Sequence, residues 1–346
     1  MMFVLNSDIT IGAFHFRGVN NVVISRSMHS LVCTASITLP ALARITKDDK
    51  RNTESVVTGD QFKDGDAVMI RLGYNDTYTT EFKGFVKRRD MNMPLEIFCE
   101  GYSWLLRRNK VNISRTEVSV KELLSEAIAG IDSRYALKIK CDVDCVFTNF
   151  QVNGTGLDLI NKIITYTDGA IICFFIEPDV LWCGHLKTGY SKGNDQLKNG
   201  FVQYRLGFNA LKNNSLKKRT AADDKVQVRY SKKTAAGVLN SQTSDAFKIF
   251  ARSHSKILNQ IQNIQALKAL ANEKAYSMNY DGLEGYFEAF LSPYVAPGYV
   301  AEISDSSHPD MNGKYLVESV TTHFGISGAR RKVELGVLVG FANQQS

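Results

Sequence analysis

Six histidines are the first side chains to consider for metal or acid–base chemistry. They stand at positions 15, 29, 185, 254, 308 and 323. A zinc protease would place two of them four residues apart on one helix with a glutamate beside the first, and the sequence contains no such HExxH pair. An isolated histidine is more often a surface or hydrogen-bonded core residue. The histidines therefore predict neither a metal site nor a catalytic base.

Four of the six cysteines invite a second test for metal binding. Cys141 and Cys145 are four residues apart, and Cys173 and Cys183 could join them in a four-sulfur site. The spacing is not the tight CxxC form, and Cys173 lies in an apolar run, where buried free thiols are common. Structural thiols are the favoured interpretation. Six cysteines in 346 residues also do not indicate a disulfide scaffold.

Other residue types with catalytic potential lack the context that their chemistry needs. Gly154-Thr155-Gly156 precedes a helical pattern, but no Gly-Lys-Ser/Thr completes a phosphate loop, so the glycines indicate a turn and Thr155 a cap. Ser292 has no nucleophile-elbow context. Glycosidase chemistry needs a selected pair of carboxylates, and nothing selects one among Asp64, Asp66, Asp305 and Asp310. We therefore expect no enzyme, no cofactor and no small-molecule substrate.

The densest basic stretch lies between residues 212 and 219. Its positive side chains are Lys212, Lys217, Lys218 and Arg219, and Tyr204 and Phe208 lie nearby in the sequence. Basic residues with aromatics are what single-stranded nucleic acid binding would use. A solvated loop and a contact with an acidic partner subunit are the two other interpretations.

Charge and hydropathy limit the class of protein further. The net charge is +7 and the pI about 8.9, which permits nucleic acid or membrane contact without requiring either. Residues 1–16 lack the charged leader and long apolar run of a signal peptide. No segment has the roughly 18 apolar residues that span a bilayer. We expect synthesis and folding in a reducing cytoplasm and no membrane insertion by this chain.

Periodicity predicts strands at both ends of the chain and helices between them. Val68, Ile70 and Leu72 alternate with other residues as in a half-buried strand. Ser119 and Glu122 predict a capping box that opens a helix, and a second helix is predicted from 156 to 167. A long helix is predicted at about 255–278. Its apolar stripe is formed by Ile257, Ile261, Ile264, Leu267 and Leu270.

The predicted fold class is α+β, mainly β. A first β-barrel domain is assigned to residues 1–112, a small α/β middle domain to 113–192, and a second β-barrel domain to 193–346, with the long helix inserted in it. A faint echo suggests that the two barrels are related. Residues 65–70 lead to 84–86 as 298–303 lead to 313–317. Because the spacings differ, two ordinary hairpins remain an alternative.

The order of several motifs resembles one family. The matching stretches are 26–40, 65–70 with 82–86 and 99–104, 119–128 with 155–169, and the long helix followed by 294–300 and 313–320. They resemble the late-control gene D type of contractile phage tail hub, which includes Mu-like hubs and the N-terminal part of type VI secretion spike proteins. The resemblance covers most of the chain and is weakest at 187–219.

The resemblance implies a structural protein of the virion tail baseplate, assembled in the host cytoplasm. Such proteins form homotrimers in which each subunit contributes two similar barrels. The resulting ring joins a sixfold tail tube protein to a threefold spike protein. DNA would meet the chain only by passing through the lumen. The candidate interface residues are those on strand edges and on the helix stripe, namely Val68, Ile70, Ile257, Ile261, Ile264, Val333 and Leu335.

Two other classes of function compete with the hub. A nucleic-acid-binding β-barrel would use the basic strip at 212–219, and a salt-dependent shift of labelled single-stranded DNA would reveal it. A cell-wall hydrolase carried on a tail would be revealed by zymography on peptidoglycan, although no catalytic pair stands out in the sequence. The packing of the long helix against its own barrel is the alternative to an intersubunit role.

Overall fold

The computed structural model describes residues 4–46, 53–186, 200–212, 215–221, 225–234, 236–245 and 252–340. The fold is α+β and mainly β, as predicted, with a large and chiefly antiparallel sheet that runs through both halves of the chain. Among the described residues, no helix is long and apolar enough to cross a membrane.

The first half of the chain is an antiparallel sheet with its own core. Its strands are β1 (Leu5–Ile11), β2 (Phe14–Phe16), β3 (Asn21–Ser27), β4 (Thr34–Leu39), β5 (Leu42–Thr46), β6 (Thr53–Val57), β7 (Ala67–Tyr74), β8 (Thr77–Asp90) and β9 (Leu95–Glu100). The order is β3-β4-β9-β8-β7-β1-β2, and β5 and β6 form a separate hairpin. Alternate side chains such as Ile9, Ile37 and Ile70 point inward and are fully buried.

The middle segment builds a second core from helices and short sheets. Its elements are α1 (Ser103–Arg108), β10 (Lys110–Ser119), α2 (Val120–Ile128), β11 (Lys138–Cys141), β12 (Val146–Thr155), α3 (Gly156–Tyr166), β13 (Ile172–Glu177) and β14 (Val180–Gly184). Both predicted caps are present. Ser119 accepts a hydrogen bond from the Glu122 amide, and Thr155 accepts one from the Asp158 amide. The boundary predicted at 192 lies outside the described residues.

The second half returns to strands. Its elements are β15 (Phe201–Arg205), β16 (Lys217–Arg219), β17 (Val226–Lys233), β18 (Leu239–Thr243), β19 (Arg252–Ile257), α4 (Ile264–Met278), β20 (Gly282–Glu284), β21 (Tyr286–Ala289), β22 (Val300–Ser304), β23 (Gly313–Gly325) and β24 (Gly328–Gly340). Strands β22, β23 and β24 form an antiparallel meander. Its core includes Phe287, Ile303 and Val317.

The predicted start of the long helix near 255 is wrong. Residues 252–257 form β19, which pairs in parallel with β17, and α4 begins only at Ile264. The Asn263 side chain caps it by accepting a hydrogen bond from the Ala266 amide at 2.7 Å. The four-residue spacing of Ile257 and Ile261 resembles a helix stripe, although the first lies on a strand and the second in the connecting loop.

Helix α4 and strand β17 pack on the middle core. Leu267, Leu270 and Tyr230 belong to the same buried cluster as Phe147 and Ile160. The apolar stripe of the helix therefore buries itself against the middle segment of its own chain. This packing differs from the insertion in the second barrel that the sequence suggested.

One ladder joins the two halves into a continuous sheet. Strand β3 pairs with the second part of β23, from Ser27 opposite Ser319 to Asn21 opposite Gly325. Because β23 also pairs with β22 and β24, it is shared between the ladder of its own half and the junction. The junction is therefore held by backbone hydrogen bonds as well as by side chains.

Candidate assembly surfaces

The strand edge predicted around Val68 is not free. Strand β7 lies between β1 and β8 and is paired on both sides. The side chains of Val68 and Ile70 are 3% and 0% exposed, and both belong to the core of the first half. The prediction that this strand offers an edge to another subunit is wrong, because its hydrogen-bonding groups are already used within the chain.

The same correction applies around Val333. Strand β24 pairs with β23 on one side and with β20 and β21 on the other. Val333 and Leu335 are buried in the core of the second half. Alternation predicted the strand correctly, but a buried central strand and an exposed edge strand both produce alternation.

The three isoleucines of the predicted stripe have different environments. Ile261 is fully buried and bridges to Phe147, so it belongs to the interior. Ile257 on β19 is 47% exposed, and Ile264 at the start of α4 is 40% exposed. Ile257 and Ile264 therefore remain candidate contact residues, and their role stays a prediction.

The basic strip is partly neutralised by its own chain. Arg219 donates a hydrogen bond to Glu284 at 2.6 Å, and its guanidinium lies 4.3 Å from the centre of the Tyr280 ring. The Lys218 ammonium is 3.9 Å from a carboxylate oxygen of Asp310. Lys217 is exposed on β16. Lys212 is exposed and lies before β16, and the two residues that follow it, 213–214, lie outside the described residues. Three of the four basic side chains therefore share one short strand, β16.

Two glycines begin equivalent meanders in the two halves. The Gly65 amide donates to the Val86 carbonyl at 2.8 Å, and the Val86 amide donates to the carbonyl of the residue after the glycine, Asp66, at 2.9 Å. The Gly298 amide donates to the Val317 carbonyl at 2.9 Å, and the Val317 amide donates to the carbonyl of the next residue, Tyr299, at 2.9 Å. The glycine φ angles are +92° and +86°, a region that other residues rarely adopt. The faint sequence echo therefore has a structural counterpart.

The equivalence continues past these glycines. The register between β8 and β9 shifts between Val86 and Arg88, and the register between β23 and β24 shifts between Val317 and Ser319. Each half thus has a three-stranded meander, β7-β8-β9 or β22-β23-β24, with a register shift directly after the equivalent valine. Because an irregularity of this kind is a specific feature of a sheet, its repetition indicates that the two meanders are structurally equivalent.

A buried polar network crosses the junction of the halves. Arg331 on β24 is fully buried, forms an ion pair with Glu81 on β8, and donates to the carbonyls of Leu291 and Pro293. Burial raises the pKa of Glu81, and the charge of Arg331 offsets only part of this effect. The network reaches strands from both halves, and it couples their relative position to one buried ion pair.

Arg26 extends the junction to the middle segment. This residue lies on β3 and donates to the Tyr294 hydroxyl at 2.7 Å and to the Ile176 carbonyl at 3.1 Å. The Tyr294 ring in turn lies 5.1 Å from the Arg331 guanidinium. One strand of the first half therefore contacts both other segments through directed hydrogen bonds.

Three of the four cysteines singled out in the sequence are neighbours. Cys183 lies opposite Cys141 in the β11–β14 ladder and opposite Cys173 in the β13–β14 ladder, and the sulfur atoms of Cys173 and Cys183 are 2.9 Å apart. Burial raises the pKa of the Cys145 thiol to about 12. Within the described residues, no group of three or more His, Cys, Asp or Glu is placed to hold a metal.

Several histidines have carboxylate partners that sequence reasoning missed. His29 lies 3.1 Å from Glu318, and His308 lies 3.0 Å from Asp305. His254 lies 2.5 Å from Asp168, although 86 positions separate them in the sequence. Only the tertiary fold reveals such a long-range pair.

Asp168 joins the middle segment to the strands that follow it. Its carboxylate accepts hydrogen bonds from His254, from Lys256 at 2.7 Å and from Tyr230 at 2.9 Å. Lys274 on α4 donates to the Asp168 carbonyl at 2.9 Å. Burial alone would raise the pKa of this carboxyl, but the hydrogen bonds outweigh burial and the pKa is lowered.

Replacing Asp168 by asparagine is expected to reduce stability at pH 7 by about 1–3 kcal/mol, because charge-assisted hydrogen bonds are lost. Asparagine tolerates the φ of +54° at this position. Since the folded pKa lies below 3.8, the stabilisation is present above pH 3.8 and is lost as the pH falls through the folded pKa. Urea unfolding at pH 7 and at pH 3 should show the difference from the parent shrinking in acid. Asp132→Asn, at a side chain 52% exposed, is the matched control.

Comparison with known proteins places the fold. No protein-family model matches the chain, and no curated protein matches it. The tail protein from Neisseria meningitidis MC58 is similar in structure, with a TM-score of 0.65 at 9% identity over 97% of this chain and 98% of that one. The 43 kDa tail protein of prophage MuSo2 from Shewanella oneidensis has a TM-score of 0.62 at 10% identity, over 96% of this chain and 98% of that one.

A secretion-system component is similar as well. The Escherichia coli c3393 protein, described as a type VI secretion component with similarity to the T4 tail proteins gp27 and gp5, gives a TM-score of 0.58 at 10% identity. The match covers 97% of this chain and 77% of that one. The chain therefore shares the fold of these tail and secretion-system proteins, as the order of its motifs implied.

Proposed function

We propose that the chain is the structural hub of a phage tail or a phage-like injection machine. Three copies form a ring that joins a sixfold tail tube to a threefold spike. The observation that carries this proposal is the internal repetition: each chain has two equivalent meanders, which begin at Gly65 and Gly298. Three chains would present six such meanders to a tube while keeping closed threefold symmetry.

The likeness to tail proteins over nearly the whole chain supports the proposal. The continuous sheet supports it as well, because the β3–β23 ladder fixes the two halves in one orientation. A ring adaptor needs that rigidity, because a hinge between the halves would let the two meanders of each chain move and would make the sixfold arrangement irregular. The role is mechanical, and it requires no substrate and no cofactor.

Electron microscopy of negatively stained particles tests the proposal. The purified protein should form rings whose class averages show threefold symmetry with six similar peripheral lobes. Mixed with a purified tail tube protein, the ring should cap tube ends. Particles without rotational symmetry, which also fail to bind the tube, would exclude the hub.

A further inference from the structure

Three thiols form a row across one small sheet of the middle segment. Strands β11, β14 and β13 lie side by side in that order. Cys183 on the central strand lies opposite Cys141 of β11 on one side and opposite Cys173 of β13 on the other. Residues directly opposite each other on neighbouring strands carry their side chains on the same face of the sheet. The sulfur of Cys183 therefore lies between the other two.

Both pairs have the spacing that a disulfide needs. The Cα atoms of facing residues lie about 4.5–5.5 Å apart in an antiparallel ladder, and neighbouring strands of any sheet are about 4.8 Å apart. A disulfide accepts a Cα separation of roughly 4.4–6.8 Å. The sulfur atoms of Cys173 and Cys183 are 2.9 Å apart, and all three cysteines of the row are free thiols. Because Cys183 has one sulfur, it can join only one neighbour at a time.

The row runs from the surface into the core. Cys141 lies on an outer strand of the sheet and is partly exposed, whereas Cys173 and Cys183 are 2% and 0% exposed. Cys173 and Cys183 belong to the core of the middle segment, and Cys141 packs against that core. A dissolved oxidant therefore reaches Cys141 before it reaches the two buried thiols.

The order of the three sulfurs suits thiol–disulfide exchange. In that reaction a thiolate attacks one sulfur of a disulfide, and the other sulfur leaves on the opposite side. Cys173 and Cys141 lie on opposite sides of Cys183 across the sheet. Cys173 can therefore attack Cys183 while Cys141 leaves.

We propose that Cys141, Cys183 and Cys173 form an oxidation site, a thiol relay that transfers a disulfide from the surface to the core. A small disulfide such as oxidised glutathione first forms a mixed disulfide with the Cys141 thiolate and releases one thiol. Cys183 then attacks the Cys141 sulfur and releases the second thiol. Cys173 finally attacks Cys183 and frees Cys141. Two protein thiols lose two electrons and two protons in total, and one small disulfide is reduced to two thiols.

The protonation of Cys141 limits the rate of the first step. A hydrogen bond with Cys183, followed by burial, raises the pKa of the Cys141 thiol, whereas the charge of Lys121 acts in the opposite direction. Because the thiolate is the attacking species, oxidation at neutral pH is slow. The thiol relay lies within the middle segment of one chain, so it does not depend on the ring proposed above.

Mass spectrometry of the full-length protein tests the thiol relay. The folded chain is incubated with oxidised glutathione, denatured, alkylated with iodoacetamide and digested with trypsin. Cys173 and Cys183 share the tryptic peptide 163–187, whereas Cys141 lies on peptide 141–162. The expected product is peptide 163–187 without alkyl groups and two hydrogen atoms lighter than its reduced form. Alkylation of both cysteines on that peptide after prolonged incubation would overturn the proposal, and so would a disulfide between other positions.

Replacing the accessible thiol tests the entry point. Cys141→Ser should slow the formation of the Cys173–Cys183 disulfide by roughly tenfold, because access of the oxidant to the two buried thiols is lost. Cys33→Ser, at another partly exposed cysteine in the first half of the chain, is the matched control and should leave the rate unchanged. Formation of the buried disulfide at the parental rate in Cys141→Ser would overturn the relay.

Cys173→Ala tests the last transfer. In this variant the reaction should stop at a disulfide between Cys141 and Cys183, and digestion should yield their two peptides joined together, with Cys145 alkylated. A protein that forms the buried disulfide in the parent but no joined peptides in this variant would contradict transfer through Cys141. Circular dichroism checks that each variant folds, and Cys141→Ser, at a partly exposed position, keeps the relay testable if Cys173→Ala does not fold.

Discussion

Replacing Arg331 by alanine is expected to lower the free energy of unfolding by about 3–5 kcal/mol, because Glu81 would remain buried without its partner. Both side chains are almost inaccessible, at 0% and 4% exposed. The substitution also removes donors to the Leu291 and Pro293 carbonyls, so the junction between the halves should loosen. Equilibrium denaturation in urea, followed by circular dichroism, measures the loss.

Two further variants separate the ion pair from simple packing. Arg330→Ala, one position earlier on the same strand, removes a partly exposed guanidinium and should cost far less. The double variant Arg331→Met with Glu81→Leu should be more stable than Arg331→Ala, because neither charge is left unpaired. Equal losses in the double variant and in Arg331→Ala would show that the electrostatic account is wrong.

Phe147→Ala is expected to cost about 3–5 kcal/mol through the cavity that it leaves in the middle core. The ring is fully buried, lies 5.4 Å from Phe150 and 6.1 Å from Tyr166, and its backbone bridges to Ile261. The substitution therefore weakens both the middle segment and its attachment to the loop before α4. The midpoint temperature of thermal unfolding and the midpoint concentration of urea unfolding should both fall.

Phe208→Ala is the matched control for that prediction. The Phe208 ring is 78% exposed, so its removal should change stability by no more than about 0.5 kcal/mol. A small effect at both positions would mean that the middle core is not the stabilising element described above. Persistent folding of the rest of the chain in the Phe147 variant would indicate that the middle core unfolds on its own.

Local features of this fold were predictable from the sequence. The capping boxes at Ser119 and Thr155 lie within four residues of their partners, so the signal and the structure share one short segment. The glycine echo was visible because Gly65 and Gly298 adopt positive φ angles that other residues avoid. The order of motifs was enough to predict a fold shared with phage tail proteins.

Long-range features were not predictable in the same way. Alternation at Val68 and Val333 predicts a strand and a buried face, but the neighbours of a strand are set by residues far away in the chain. Ile257 and Ile261 matched a helical period although they lie on a strand and in a loop. The Glu81–Arg331 pair spans 250 positions, and no local pattern marks either residue as buried.

The most direct test of the central claim is the molar mass of the purified chain in solution, measured by size-exclusion chromatography with multi-angle light scattering. The account predicts a species of three chains of 38.6 kDa each, stable on dilution to the low micromolar range. A mass of one chain across that range would contradict a hub built from six equivalent meanders.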